Sequence, residues 1–394
     1  MELLIKNVRI VDWNKDFIGD VYIKNGIINQ VSENINVDCE IINGEEKTLM
    51  PSFVDLHAHF REPGFTYKED IESGSEAAVK GGYTALNLMA NTKPVCSSME
   101  TVEYVLDKAE QIGLATLHQT VSITKDLDGK DISHLDSIDK KVRFISDDGK
   151  GVEDNYIMLK AMNKAKEKDL ILISHAEAGD LSKVDMRLAE NFMTWRDVEL
   201  AKYTGCHLHM AHVSTKEAME YIIEAKDKGH NITCEITPHH IALSENLNYR
   251  VNPPIRGKDD IDFLIKAIKN GYVDAIATDH APHSEEDKKN GAPGISGIET
   301  SFAACYTKLV KAKHISLSKL SEIMSKSPAS IMNLNIGAIE QGYKADLVLV
   351  DLEKSYEIDS EKFISKGKNT PFNGMNVQGE ILLTLKEGKK VFEK

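Results

Sequence analysis

Phe53-Val54-Asp55-Leu56-His57-Ala58-His59-Phe60-Arg61 is an apolar run that ends in ligand-forming side chains, and its reading decides the architecture. On a β-strand, side chains at i and i+2 share a face, so His57 and His59 are expected to point the same way, with Arg61 in register with them. Further apolar runs follow at 83–89, 115–123, 141–146, 170–174, 207–211, 232–237 and 273–278. Stretches of helical periodicity lie between them, such as 155–168, 216–228 and 261–269. About eight strand–helix units fit a (β/α)8 TIM barrel of roughly 250 residues. An open doubly wound sheet uses the same alternation, but unit count and length favour the barrel.

The two ends of the chain read differently from this α/β middle. Leu3-Leu4-Ile5, Val8-Arg9-Ile10-Val11, Val21-Tyr22-Ile23 and Ile27-Ile28 are short β-type runs, with Asn25-Gly26 as a hairpin signal. Ala345-Asp346-Leu347-Val348-Leu349-Val350 and Ile381-Leu382-Leu383-Thr384-Leu385 repeat the pattern, with Glu387-Gly388 turning into Val391-Phe392. The expected organisation is a small β-sandwich domain built from residues 1–50 and 339–394, enclosing a barrel over 51–338.

Chemistry gathers where the runs stop. Ser146-Asp147-Asp148-Gly149, Ser174-His175-Ala176-Glu177, Ala211-His212-Val213-Ser214, Thr237-Pro238-His239-His240 and Thr278-Asp279-His280-Ala281-Pro282-His283 all follow apolar strands. In a barrel these positions meet at the C-terminal rim, where active sites of the fold lie. Each piece alone has a bland reading: a packed histidine, a strand-end pair, or an aspartate capping a helix. Together, four imidazoles and two carboxylates reach one rim, where burial without partners costs ~1–3 kcal/mol per group. A metal removes that cost, and imidazole with carboxylate but no thiolate suits a pair of Zn²⁺ or similar ions.

Composition narrows the alternatives. With 41% hydrophobic and 28% charged residues, the 394-residue chain has ample core material. A formal net charge of -14 argues against nucleic acid as the main partner, while leaving room for an anionic small molecule in a locally basic pocket. Met1-Glu2-Leu3-Leu4-Ile5-Lys6 lacks the basic-then-apolar pattern of a signal peptide, and no apolar run is long enough to span a bilayer. The 5 cysteines (Cys39, Cys96, Cys206, Cys234 and Cys305) are scattered, as expected for reduced thiols in a cytoplasmic protein.

The run 51–94 resembles the dihydroorotase family, specifically its bacterial class I members. The resemblance rests on His57-Ala58-His59-Phe60-Arg61-Glu62-Pro63-Gly64, Gly81-Gly82-Tyr83-Thr84 and Met89-Ala90-Asn91-Thr92-Lys93-Pro94. It continues in His212-Val213-Ser214-Thr215, Thr237-Pro238-His239-His240, Asn252-Pro253-Pro254-Ile255-Arg256 and Thr278-Asp279-His280-Ala281-Pro282-His283, and covers nearly the whole chain. It implies a zinc-dependent cyclic amidohydrolase that opens dihydroorotate reversibly to N-carbamoyl-L-aspartate. By the same resemblance, His57 and His59 bind one zinc, His175 and His212 bind the second, Asp148 bridges them, and Asp279 is both ligand and general base. Arg61, Asn91 and His283 would hold the substrate carboxylate, with Asn252 and the Pro293-Gly294 backbone on the ring amide edges. A homodimer, or association with aspartate transcarbamoylase, is the implied assembly.

Two departures and three rivals accompany that reading. The segment after Gly179 is short for the class, and Asn290-Gly291-Ala292-Pro293-Gly294-Ile295 lacks an aromatic residue before its last glycine. Hydantoinases, dihydropyrimidinases and allantoinases resemble one another in a bridging carboxylated lysine and in lacking an arginine after His-x-His. Lys150 is the rival for the bridge, but it lies beyond the Gly149 turn and off the strand face. Asp147, of opposite parity to Asp148, is expected to be structural. A catalytically silent subunit for a partner enzyme is the remaining alternative, and the complete ligand set speaks against it.

Overall fold

The computed structural model describes residues 2–394; Met1, counted in the N-terminal part of the small domain, lies outside the described residues. The first five strands are β1 (Glu2–Val11), β2 (Asp16–Lys24), β3 (Ile27–Ser32), β4 (Glu40–Asn43) and β5 (Thr48–Pro51). The middle of the chain supplies β6 (Phe53–Ala58), β7 (Tyr83–Leu88), β8 (Thr116–Gln119), β9 (Phe144–Ile145), β10 (Ile171–Ser174), β11 (His207–Met210), β12 (Ile232–Ile236) and β13 (Ala275–Ile276). The last three are β14 (Leu347–Glu357), β15 (Asn376–Lys386) and β16 (Lys389–Glu393).

Strands β6 to β13 pair in parallel and in consecutive order as two arcs, β6-β7-β8 and β9-β10-β11-β12-β13. Parallel bridges between Val121 and Ile145 and between Ala58 and His280 join the arcs into a closed ring. This is the expected TIM barrel. Alternate residues divide between two cores, as a strand period of two requires. Leu172 packs beneath the surrounding helices, whereas Ile171 and Ile173 join Val54, Leu56, Phe144 and Ala275 in a cluster drawn from facing strands. The helices begin on side-chain caps that satisfy free N–H groups: Asp154 for Asn155–Glu167, Asp185 for Met186–Thr204 and Thr215 for Lys216–Asp227.

Several barrel strands are shorter than their apolar runs. β9 keeps only two residues of 141–146, and β13 only two of 273–278. Most of the trimmed residues, 141–143 and 273–274, precede the strands, while the Ser146 and Ala277 N–H groups just beyond them still bond to Val121 and Ile236. His212 (φ 35°) and Asp279 (φ 46°) take the left-handed backbone that non-glycine residues rarely adopt, a strain tolerated where surrounding structure imposes it.

The two chain ends form one mixed sheet in the order β16-β15-β14-β5-β1-β2-β3, with β4 beside β1. The β2–β3 hairpin reaches the segment before β14, where the Ile28 N–H donates to Tyr343 and the Gly342 N–H to Ile28. Leu3, Ile5 and Ile10 from one end of the chain and Leu347, Leu349 and Leu385 from the other bury into a single cluster. Ser52, between β5 and β6, donates its N–H to Asp346 of the C-terminal segment, so the sandwich is tied to the first barrel strand.

Leu347 is fully buried and pairs with Pro51 and Leu385 on its two sides. Leu347→Ala is expected to lower stability by about 2–5 kcal/mol through the cavity it leaves. Urea unfolding checks this, and a change under about 1 kcal/mol would show that the terminal core collapses without loss.

Candidate metal centre

Each group that could hold a metal stands at or just past the C-terminal end of a barrel strand. His57 is the penultimate residue of β6, and His59 lies one residue beyond it. The His59 N–H donates to the His280 carbonyl at 2.9 Å, which fixes the first strand against the last. Asp148 follows β9, His175 follows β10, His212 follows β11 and Asp279 follows β13. All six side chains are buried.

Asp148 occupies the middle of the cluster. Its Oδ1 lies 3.3 Å from His57 Nε2, 3.3 Å from His175 Nδ1 and 3.6 Å from His212 Nε2, and its Oδ2 lies 3.4 Å from His59 Nε2. Asp279 Oδ1 is 3.2 Å from His59 Nε2 and 3.7 Å from His57 Nε2. Two sets of donors therefore crowd together, His57 with His59 and Asp279, and His57 with Asp148 and His212. His175 Nδ1 approaches His212 Nε2 to 2.9 Å and stands at the edge of the second set. His57 thus has a donor atom in both sets.

The cluster fits a cation by its own geometry. His57 Nε2 and Asp148 Oδ1 are buried without any hydrogen-bond partner, a cost that a shared positive ion removes. Burial opposes charge on His57, but Asp148 and Glu235 override it and hold its pKa well above the usual imidazole value. Burial likewise opposes charge on Asp148, yet the neighbouring imidazoles press its pKa well below the carboxylate range. His175 is pushed up to about 9, with Asp148 and Glu177 outweighing desolvation. Positive charge is thus favoured at the centre. The donors are imidazole nitrogen and carboxylate oxygen only, the set expected of zinc or a related ion.

Asp147 turns away and accepts from the Thr124 N–H at 3.0 Å, the structural role its parity implied. Lys150 is exposed, with its Nζ donating to the Leu127 carbonyl at 3.3 Å, and does not reach the cluster.

A cavity of about 190 Å³ opens over the centre, lined by His59, Asp148, His175, His212 and Asp279. Arg61, Asn91, Asn252, His283, Pro293 and Gly294 complete its wall, so every side chain expected on the substrate shares one space. Arg61 arrives for a reason other than strand register. β6 ends at Ala58, and Arg61 adopts φ 62°, which swings the side chain inward. Its Nε donates to the Pro282 carbonyl at 3.3 Å and its Nη2 lies 3.3 Å from His283 Nε2. Burial lowers the guanidinium pKa to about 10, still charged at neutral pH. Burial and the Arg61 and Lys68 charges hold His283 neutral, with its pKa down to about 3. Gly294 has φ 139°, and a Cβ there would meet Ala281 O at 2.7 Å, so only glycine lets this wall close.

The sequence reading missed the groups that orient these side chains. Glu235 on β12 is fully buried; its Oε1 accepts from His57 Nδ1 at 2.8 Å and its Oε2 lies 3.1 Å from His209 Nε2. That contact leaves His57 Nε2 facing the centre. An acid inside the apolar run 232–237 was the available signal. Asn91 Oδ1 pairs with His59 Nδ1 at 2.9 Å and does the same for the second imidazole.

Residues 48–391 match the amidohydrolase family model. The chain is 56% identical over 398 residues to a dihydroorotase of Clostridium botulinum, covering 100% of both chains. It is 40% identical over 423 residues to a dihydroorotase of Thermoanaerobacter sp., covering 100% of this chain and 98% of that one. Among solved structures it resembles an L-hydantoinase (dihydropyrimidinase) from Arthrobacter aurescens, with a TM-score of 0.89, 26% identity and coverage of 100% and 96%. A barrel with a sandwich built from both chain ends, a His/Asp cage at its rim and this full-length kinship agree: the chain belongs to the amidohydrolase family, within its dihydroorotase branch.

Proposed function

We infer that the protein hydrolyses the ring amide of (S)-dihydroorotate reversibly to N-carbamoyl-L-aspartate, the ring-closing direction serving pyrimidine biosynthesis. The reading is carried by one observation: the Arg61 guanidinium shares a cavity of about 190 Å³ with the His/Asp cage. A carboxylate-bearing ring seated on that arginine presents its amide to the cage. Sequence kinship with dihydroorotases supports the same substrate.

His57, His59 and Asp279 would hold one zinc, and His175 and His212 the other, with Asp148 between them. Bound there, the metal pair would lower the pKa of a water toward neutrality and polarise a carbonyl. The remaining work falls to the chain's own groups. Arg61 would pair with the substrate carboxylate, its planar fork matching the two oxygens. Asn91 and His283 flank it, and His283, held neutral, adds no charge beside the guanidinium. Asn252 and the Pro293-Gly294 backbone would meet the amide edges and orient the ring. Asp279 would take a proton from the attacking water as the new C–O bond forms. It would return that proton to the ring nitrogen as the C–N bond breaks, giving a terminal ureido NH2 and a carboxylic acid whose remaining water proton passes to solvent to leave the carboxylate. Glu235, bonded to His57 Nδ1, would fix the tautomer and aim of that ring.

The likeness to L-hydantoinase favours, as a second reading, another cyclic amide such as hydantoin, dihydropyrimidine or allantoin. Asp148 at the centre and Lys150 on the surface speak against it. Comparing hydrolysis of dihydroorotate, hydantoin and allantoin by the purified zinc-loaded chain separates the two. Preference for dihydroorotate is expected, and a faster hydantoin reaction would reverse the assignment.

Three substitutions test the roles. Asp279→Asn is expected to abolish turnover while bound zinc, measured by elemental analysis, falls only in part; near-normal turnover would remove the proton-transfer role. Arg61→Met should raise KM for dihydroorotate with a smaller change in kcat, and an unchanged KM would dissociate Arg61 from the carboxylate. Glu235→Gln should weaken zinc affinity by roughly 10–100-fold. Chelator competition reads that affinity directly, and an unaltered value would leave Glu235 with a packing role alone.

A further inference from the structure

The short helix Glu285–Lys289 stands behind the cavity wall rather than on it, and its Lys288 side chain reaches two loops at once. Lys288 Nζ donates to the Ala292 carbonyl at 2.8 Å and to the Gly294 carbonyl at 3.1 Å, so one ammonium grips the chain on both sides of Pro293. The same nitrogen donates to the Arg250 carbonyl at 3.1 Å, two residues before Asn252. It also lies 4.3 Å from the centroid of the Tyr249 ring. The Gly294 N–H completes the joint by donating to the Arg250 carbonyl at 3.2 Å.

We propose that Lys288 is a positioning residue that joins the loops 248–254 and 290–294 into one wall at the spacing the substrate ring requires. The proposal rests on the assignment of Asn252 and the Pro293-Gly294 backbone to the amide edges of that ring. An ordinary helix end does not account for the contacts. A lysine in the last turn commonly bonds the nearest free carbonyls, and Ala292 alone would ask no more of it. Arg250 lies 38 residues away, and a bond across that distance fixes one loop against the other. An ammonium carries three N–H donors and no acceptor, and here three carbonyls take them all. Such charge-assisted bonds are stronger than neutral ones, and the tyrosine face adds to the hold on the cation. The bracketed backbone also reaches the carboxylate end of the cavity: the Pro293 carbonyl lies 2.9 Å from His283 Nε2, beside Arg61.

The joint depends on charge. Burial and the facing Arg250 cation lower the Lys288 pKa to about 8. Tyr249, the other titratable group facing it from 248–254, stays neutral, with its pKa pushed up to about 12 by burial. Residues 290–294 bring no titratable side chain, and Asn369, which donates to the Gly294 carbonyl at 3.1 Å, is uncharged. On the helix itself, the Asp287 carboxylate is 3.2 Å from Lys68 Nζ and that of Glu285 is 3.5 Å from Lys289 Nζ. Above about pH 8 a neutral amine keeps two donors for three carbonyls, so the wall loosens as pH rises.

Steady-state kinetics of the zinc-loaded protein with dihydroorotate, paired with hydrogen exchange on the same samples, tests the proposal. Lys288→Met should raise KM roughly 10-fold with kcat changed less than about threefold, at unaltered zinc content. Amide exchange across 290–296 should quicken by roughly 10-fold or more. Lys288→Arg, which keeps the charge, should recover most of both losses. It should also flatten the rise in KM that the wild type is expected to show between about pH 7 and 9. Lys289→Met, on the exposed neighbour, should change none of these readings. An unchanged KM in Lys288→Met, unchanged exchange across 290–296, or an alkaline rise that persists in Lys288→Arg would each overturn the joint. A wild type inactive on dihydroorotate would instead overturn the substrate assignment, and exchange, which needs no substrate, would then decide the joint alone.

Discussion

Closure of the barrel between its first and last strands is the constraint on which the centre depends. His57 and His59 lie some 220 residues from Asp279 in the chain, as the His59–Asp279 contact records. Only the seam brings them together: Ala58 bridges to His280, and the His59 N–H bonds to the His280 carbonyl. Asp55 reinforces it from one turn of the pleat below, accepting from the Thr278 N–H at 2.9 Å and from the His57 N–H at 3.2 Å. A single carboxylate thus ties the backbone beside one candidate ligand to the backbone beside another. Burial raises the Asp55 pKa to about 6 despite these bonds, so the seam relies on a carboxylate that burial alone would neutralise.

The same device recurs around the rim. Asp147 holds Thr124, Asp197 holds Ser174, and Glu190 holds Ser214 while receiving Arg256 at 2.8 Å. In each case a buried acid from one element grips the polar residue at a neighbouring strand end. Hydrogen bonds to charged acceptors in a low-dielectric interior are stronger than neutral ones. They add to the backbone bonds that hold the strand ends at the rim. The left-handed backbone at His212 and Asp279 is tolerable on this account, because the chain on either side is fixed by bonds of that kind or by the ring of strands.

Much of this was legible in the sequence because it is written locally. Eight apolar runs, each ending in a polar residue, give strand count, order and the rim, and the Asn25-Gly26 and Glu387-Gly388 turns mark the terminal sheet. The candidate ligands and the cavity wall were named from position and resemblance, and the fold gathers them around one space. What escaped was non-local. Glu235 meets His57 across 178 residues, and nothing in the run 232–237 says which imidazole its carboxylate faces. Strand parity placed Arg61 in register with His57 and His59, whereas the strand ends at Ala58 and Arg61 has a φ of 62°, outside the extended range.

The division of labour within the cavity explains how one barrel can serve related ring-opening reactions. An L-hydantoinase shares the fold at a TM-score of 0.89, and a His/Asp cage of this kind would supply charge and basicity that any cyclic amide could use. Discrimination has to come from the opposite wall. There a buried guanidinium stands beside a histidine that burial, with the Arg61 and Lys68 charges, keeps neutral. A buried cation without a close counter-ion is costly until an anion arrives. On the proposed reading, a ring that brings a carboxylate would satisfy it, whereas a neutral hydantoin would not. Selectivity would then rest on the penalty for the wrong substrate as much as on attraction to the right one.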